Sequence, residues 1–103
     1  MRIYISGPIT GTVDYMQRFS EVEEKLIKAG YSVMNPASVN SMMPADTTYE
    51  EYMEMSFTML DMCDIIYMMN GWEKSCGANR EYGYALARDY IIFKYPELLE
   101  VGE

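Results

Sequence analysis

Residues 64–68, Asp-Ile-Ile-Tyr-Met, constrain the fold of this chain more than any other segment. The four residues after the aspartate are all apolar or aromatic. They do not alternate with polar residues, as they would in a strand with one face exposed to solvent. A continuous run of this kind is typical of a strand buried on both sides, as in parallel sheets covered by helices. The segment therefore predicts the central strand of a parallel α/β sheet.

The rest of the chain alternates between strand and helix patterns around this segment. Strand patterns occupy residues 3–5, 31–34 and 90–93, and helical spacing of apolar residues occupies about 14–29, 48–63 and 77–88. Residues 36–47 have no clear periodicity and are predicted as a loop, and residues 94–103 as a short extension. The alternation predicts one domain over residues 1–103, with a four- to five-stranded parallel sheet and helices on both faces.

Local signals place several helix boundaries. Thr48 and Glu51 have the spacing of a capping box, which predicts that the second helix begins there. Asp14 is the expected N-cap of the first helix, and Gly30 is the expected residue just past its end. The third helix is predicted to begin at Gly77 or Ala78 and to run to about Arg88.

The composition excludes several classes of function. With 16 acidic and 8 basic side chains, the net charge is −8, which argues against a long nucleic acid as partner because like charges repel. No apolar run approaches the ~20 residues that span a bilayer, and the N-terminus has no signal-peptide pattern. We therefore expect a cytoplasmic protein without a membrane partner.

The sequence contains no histidine and two cysteines, Cys63 and Cys76, which do not form a CxxC motif. A zinc site and a Ser-His or Cys-His nucleophile therefore lack their usual residues. Carboxylates and tyrosines would have to carry any proton chemistry. We expect no metal site and no cofactor.

Loops at the carboxyl edge of the predicted sheet are the expected place for a ligand. Residues 6–11, Ser-Gly-Pro-Ile-Thr-Gly, follow the first strand and match neither the dinucleotide-binding nor the Walker A pattern. Their glycines would let the backbone approach a ligand closely, and free N–H groups there could hold an anion. An ordinary turn explains the same residues equally well.

Residues 71–81, Gly-Trp-Glu-Lys-Ser-Cys-Gly-Ala-Asn-Arg-Glu, lead from the buried strand into the third helix. Glu81 is expected in the first turn of that helix, where the macrodipole favours an ionised carboxylate. Such a carboxylate can attack an anomeric carbon, or it can simply satisfy the helix N-terminus. Tyr4 could point its phenol into the same cleft or pack in the core, and Trp72 could stack on a base or anchor the surface.

Taken together, these motifs resemble the nucleoside 2-deoxyribosyltransferase-like superfamily, and within it the DUF4406 group, over about residues 1–93. The resemblance is carried by residues 3–8, by residues 64–66 and by the pattern Ser75-x-Gly77-x3-Glu81-x-Gly83-x-Ala85. It implies a three-layer flavodoxin-like, Rossmann-like fold. It also implies a double displacement in which a glutamate attacks C1′, the base leaves, and the sugar passes to another base or to water.

Residue by residue, the resemblance places Glu81 at the nucleophile and Tyr4 at the tyrosine that holds its carboxylate. Two aspartates of the transferases fall on Ser75 and Ser56 in this chain. One of these aspartates acts near the departing base, so the departures favour hydrolysis of a nucleotide-like glycoside over transfer between bases. They also leave loss of catalysis open.

We therefore expect cleavage of the N-glycosidic bond of a nucleoside or nucleoside 5′-monophosphate through a glutamyl-glycosyl intermediate. The rivals are a non-catalytic nucleotide-binding module of the same fold and an interaction protein with a vestigial pocket. Because relatives commonly complete their pockets from a neighbouring subunit, we expect a homodimer or larger homo-oligomer. The expected substrate contacts are Ser6, Gly7, Pro8, Gly11, Trp72, Ser75, Gly77 and Asn79.

Overall fold

The structure of the chain is a computed structural model that describes residues 1–9 and 11–99. Within those residues the strands are β1 (Arg2–Ser6), β2 (Ser32–Met34), β3 (Ile65–Met68) and β4 (Ile91–Lys94), and the helices are α1 (Tyr15–Lys28), α2 (Pro36–Asn40), α3 (Tyr49–Asp61) and α4 (Cys76–Ala87). A short 3-10 helix, Trp72–Lys74, precedes α4. Thr10 and residues 100–103, which belong to the predicted first loop and C-terminal extension, lie outside the described residues.

All strands pair in parallel in the order β2-β1-β3-β4, with Tyr4 of β1 opposite Ile66 of β3. Every residue of β3 is buried, as the unbroken apolar run predicts. The parallel sheet and the interior position of β3 are thus confirmed. The strand order is the flavodoxin-like one, and its direction of winding reverses between β1 and β3.

Helices cover both faces of the sheet, because alternate residues of a strand point to opposite sides. Ile3, Ile5, Ile65 and Tyr67 pack on the face that carries Phe19 and Leu26 of α1. The opposite face contacts α3 and α4, and its buried residues include Tyr4, Ile66, Met68, Met59, Leu60, Ala78 and Ala85. These two cores make the three-layer α/β architecture that the sequence predicts.

The structure confirms some of the predicted helix boundaries. The capping box is confirmed, because the Thr48 hydroxyl accepts the Glu51 N–H at 3.1 Å and the Glu51 carboxylate accepts the Thr48 N–H at 2.9 Å. Gly30 follows α1 with φ +101°, a conformation that favours glycine. Asp14 occupies the N-cap position of α1, but its side chain makes no capping hydrogen bond.

Two boundary predictions are wrong. Residues 36–40 form α2 rather than loop, because Pro36 is suited to a first helical turn and the Asn35 side chain caps the Ala37 N–H at 3.0 Å. A helix of five residues is too short to show periodicity. α4 begins at Cys76, because the Ser75 hydroxyl accepts the Ala78 N–H at 3.1 Å and makes Ser75 its N-cap.

No helix among the described residues is long and apolar enough to cross a bilayer.

The capping box predicts a measurable contribution to stability. Thr48→Ala removes the acceptor for the Glu51 N–H, so the free energy of unfolding should fall by about 0.5–2 kcal/mol. Urea denaturation followed by circular dichroism measures the change, with Thr48→Ser as the matched control that keeps the hydroxyl. Equal stability of Thr48→Ala and wild type would show that the cap contributes nothing.

Candidate functional site

The candidate site is a cavity of about 210 Å³ at the carboxyl edge of β1. It lies where the sheet winding reverses, which is the usual ligand position in open parallel sheets. β1, all four α-helices and the loops after β1 and before α4 contribute to its wall. Its polar lining includes Glu81, Ser56, Ser75, Tyr15, Tyr49 and Tyr52.

Glu81 lies deep in this site, with only 6 % of its surface exposed. Because α4 begins at Cys76, Glu81 is the sixth residue of the helix and lies in its second turn. The prediction that the first turn holds it is therefore wrong. The helix macrodipole acts mainly within the first turn, so it is not the main cause of any preference for an ionised carboxylate.

Two hydroxyl groups of β1 hold the Glu81 carboxylate instead. Tyr4 Oη donates to Oε2 at 2.8 Å, and Ser6 Oγ donates to Oε1 at 2.5 Å. Tyr4 and Ser6 are two positions apart, so both side chains leave the strand on the face that α4 covers. An ionised carboxylate has only acceptors, and it fits two donating hydroxyls without rearrangement.

The two buried acids influence each other's ionisation. Burial is the largest effect on Glu81 and raises the pKa of its carboxyl, while the hydroxyls of Ser6, Tyr4 and Ser56 act in the opposite direction. Burial, followed by the negative charge of Glu81, raises the pKa of the Tyr4 phenol well above its usual range. Tyr4 therefore stays a neutral donor, and the hydroxyls offset part of the desolvation of the carboxylate.

Three of the predicted substrate contacts, Gly7, Ser75 and Gly77, line the cavity. A Cβ on Gly7 would lie 2.9 Å from the Cβ of Met69, so only glycine fits the close approach of β1 to the end of β3. A Cβ on Gly77 would lie 3.4 Å from the sulfur of Met53, which leaves little space between α4 and α3. The structure thus brings these residues together with Glu81, Tyr4 and Ser6.

Five predicted substrate contacts lie outside the cavity lining as far as the structure describes it, and one of them, Ser6, reaches the site through its hydrogen bond to Glu81. The Trp72 ring packs on Tyr82 with centroids 4.8 Å apart, and Gly11 is exposed with φ +77°. Pro8 lies beside Gly71. The Asn79 side-chain amide donates to the Ser75 carbonyl at 2.8 Å and stabilises the start of α4. Their roles in substrate binding stay predictions.

Sequence reasoning missed the aromatic wall of the cavity. Tyr15 comes from α1, and Tyr49 and Tyr52 come from the first turn of α3. Tyr49, Tyr52 and Ser56 follow the i, i+3, i+7 spacing of one helix face, which could have revealed them as a group. Asn40, the last residue of α2, also lines the cavity. Among the buried side-chain nitrogen and oxygen atoms of the described residues, its Oδ1 is the one without a hydrogen-bond partner.

Comparison with known proteins gives one family. The model of the family described as "Domain of unknown function (DUF4406)" matches residues 1–93, which include every element of the site. No curated protein matches the chain.

The raised pKa of Glu81 predicts how stability depends on pH. Folding favours the protonated form, so this stabilisation is complete below the unfolded pKa of about 4.3 and is lost as pH rises through the higher folded pKa. Each unit of difference corresponds to about 1.4 kcal/mol. Glu81→Gln does not titrate, and its stability relative to wild type should therefore rise from pH 4 to pH 8.

Urea unfolding of both proteins across that pH range measures the effect. Their other titrating groups are the same, so the difference between the two curves isolates position 81. A difference that stays constant, or that shrinks as pH rises, would contradict the raised pKa.

Proposed function

This chain belongs to the DUF4406 family, and we propose that it cleaves the N-glycosidic bond of a nucleoside or nucleoside 5′-monophosphate. The observation that carries the proposal is the Glu81 carboxylate, which lines a cavity while two hydroxyl groups hold it in place. A buried acid on a cavity wall, positioned by specific donors, is a candidate for chemistry rather than for packing alone.

The resemblance of the motifs to nucleoside 2-deoxyribosyltransferases supports the choice of bond. In that resemblance Glu81 takes the place of the nucleophile and Tyr4 the place of the residue that orients it. The hydrogen bond of 2.8 Å between them agrees with these roles. Glu81 is the one carboxylate of the described lining, and the Tyr4 and Ser6 hydroxyls donate to it, so it is the group we assign as nucleophile.

In the proposed first step, a Glu81 oxygen attacks C1′ and forms the glycosyl ester. The bond from C1′ to the base nitrogen breaks, and its electron pair leaves with the base, which takes a proton from water. In the second step, the oxygen of a water molecule attacks C1′, the ester bond breaks, and the Glu81 carboxylate is regenerated. The proton released by this water balances the one taken by the base; another base can replace water as acceptor.

The remaining lining residues fit the other parts of such a substrate. The rings of Tyr15, Tyr49 and Tyr52 offer faces on which a base can stack. Since Trp72 packs against Tyr82, we assign base contact to this tyrosine wall instead. Ser56 and Ser75 lie in the lining and can bond sugar hydroxyls or water.

One observation favours a non-catalytic nucleotide-binding module as the second candidate. Ser56 and Ser75 occupy the positions where the resembled transferases have aspartates, so no second carboxylate of the lining stands ready to protonate a leaving base. Such a module would bind nucleosides or nucleotides through the same wall and release no base. Turnover separates the two functions.

Chromatography of released base from a panel of nucleosides and their 5′-monophosphates tests the proposal. Glu81→Gln keeps the shape of the side chain and removes the attacking charge, so kcat should fall on the order of 10³-fold or more. Tyr4→Phe removes one hydrogen bond to the carboxylate, and kcat should fall roughly 10- to 100-fold.

Glu73→Gln is the matched control, because Glu73 is an exposed glutamate just before α4 and should keep wild-type turnover. Circular dichroism checks that each variant folds. Equal base release by wild type and Glu81→Gln would remove Glu81 from the mechanism, and binding without any release by wild type would establish the binding module.

A further inference from the structure

We propose that the cavity selects an uncharged glycoside, a nucleoside rather than its 5′-monophosphate. This inference rests on the proposed function and narrows its substrate class. The distribution of charge around Glu81 supports this selection.

No cation lines the cavity. All eight lysines and arginines of the chain fall within the described residues, and none of them belongs to the cavity wall. Several have partners elsewhere: Arg80 bonds Glu50 at 3.1 Å, Arg88 bonds Asp61 at 3.3 Å, and Arg18 donates to the Asn70 carbonyl at 2.9 Å. Lys94 Nζ lies 5.0 Å from the centre of the Tyr82 ring, outside the site. A phosphate in the cavity would therefore meet no side chain of opposite charge.

The charge that a phosphate would meet is that of Glu81. In a medium of effective dielectric constant ~20, two like charges within roughly 10 Å of each other repel strongly enough to weaken binding more than tenfold. The acidic chain as a whole, at net charge −8, adds to this repulsion. A nucleoside carries no charge, so neither Glu81 nor the net charge of the chain repels it.

The N-terminus of α4 is the feature that could oppose this selection, because helix N-termini bind anions. Its Ser75 hydroxyl already accepts the Ala78 N–H. The dipole supplies about half a positive charge at the helix end, whereas Glu81, in the second turn of the same helix, supplies a full negative charge when ionised. In the loop after β1, Pro8 has no N–H to offer. The balance favours a neutral ligand.

The polar groups that line the cavity besides Glu81 suit neutral partners. They are phenols, the hydroxyls of Ser56 and Ser75, and the amide of Asn40. Hydroxyls and amides exchange hydrogen bonds with sugar hydroxyls and base edges without needing a charge. The volume of about 210 Å³ also lies below the ~300–1,000 Å³ of typical ligand clefts. A small cavity favours a nucleoside over the larger 5′-monophosphate.

Isothermal titration calorimetry with carbocyclic nucleosides tests the selection, because these analogues lack the labile glycosidic bond. Each carbocyclic nucleoside bearing adenine, guanine, cytosine or thymine is compared with its own 5′-monophosphate. For the best-bound base, we expect wild type to bind the nucleoside at least about tenfold more tightly than the monophosphate. Glu81→Gln should reduce this ratio severalfold, because it removes the repelling charge.

Glu73→Gln is the matched control, since it removes the same single negative charge at an exposed position and should leave the ratio unchanged. Monophosphates that bind as tightly as nucleosides, a ratio that Glu81→Gln and Glu73→Gln change equally, or no binding of any analogue would overturn the inference.

The failure of this inference is distinguishable from failure of the proposed function. Base release from monophosphates alone, dependent on Glu81, would uphold the glycosidase and overturn the selection for nucleosides. Preferential binding of nucleosides without base release from the natural compounds would uphold the selection and overturn the glycosidase.

Discussion

The burial of one carboxylate organises this small protein. An ionised group out of water is expensive unless hydrogen bonds replace those that water made, and the Tyr4 and Ser6 hydroxyls provide them to Glu81. Both hydroxyls come from one face of β1, so α4 must cross that face closely. Ala78 and Ala85, both buried against the sheet, leave room for the approach. The close packing of α4 on β1 thus provides the hydrogen bonds that this one group needs.

The same arrangement places a reactive group where a ligand can reach it. β1 ends at Ser6, and the winding of the sheet reverses beside it, so the layers part and a cavity opens in front of Glu81. α3 closes another side with Tyr49, Tyr52 and Ser56. A buried acid, neutral donors and aromatic rings are therefore joined in a site with no side-chain cation in its described wall. Such a site is suited to attack on a neutral glycoside, and it ties the proposed reaction and the proposed selectivity to one feature.

Much of the fold could be read from the sequence, and the reasons for the failures are physical. The unbroken run in β3 and the capping box at Thr48 are local signals strong enough to predict a buried strand and a helix start, and both are confirmed. α2 was not predictable from periodicity because it has only five residues. α4 begins before the predicted glycine at 77 because the Ser75 side chain caps the helix at Cys76. The partnership of Tyr4 and Glu81 came from resemblance to a family, since a contact across 77 positions has no local signature. Tyr49 and Tyr52 share one helix face and could have been found from their spacing, but Tyr15 joins them only where α1 and α3 meet in the fold.

The central claim is that Glu81 forms a bond to the sugar. The most direct measurement is mass spectrometry of the protein after incubation with a 2′-fluoro arabinosyl nucleoside, whose fluorine slows release of the sugar from the ester. The account predicts an increase in mass equal to the fluorinated glycosyl group, which peptide mapping places on Glu81 and nowhere else. Release of base from the natural nucleoside with no adduct on Glu81, or with an adduct on another residue, would contradict it.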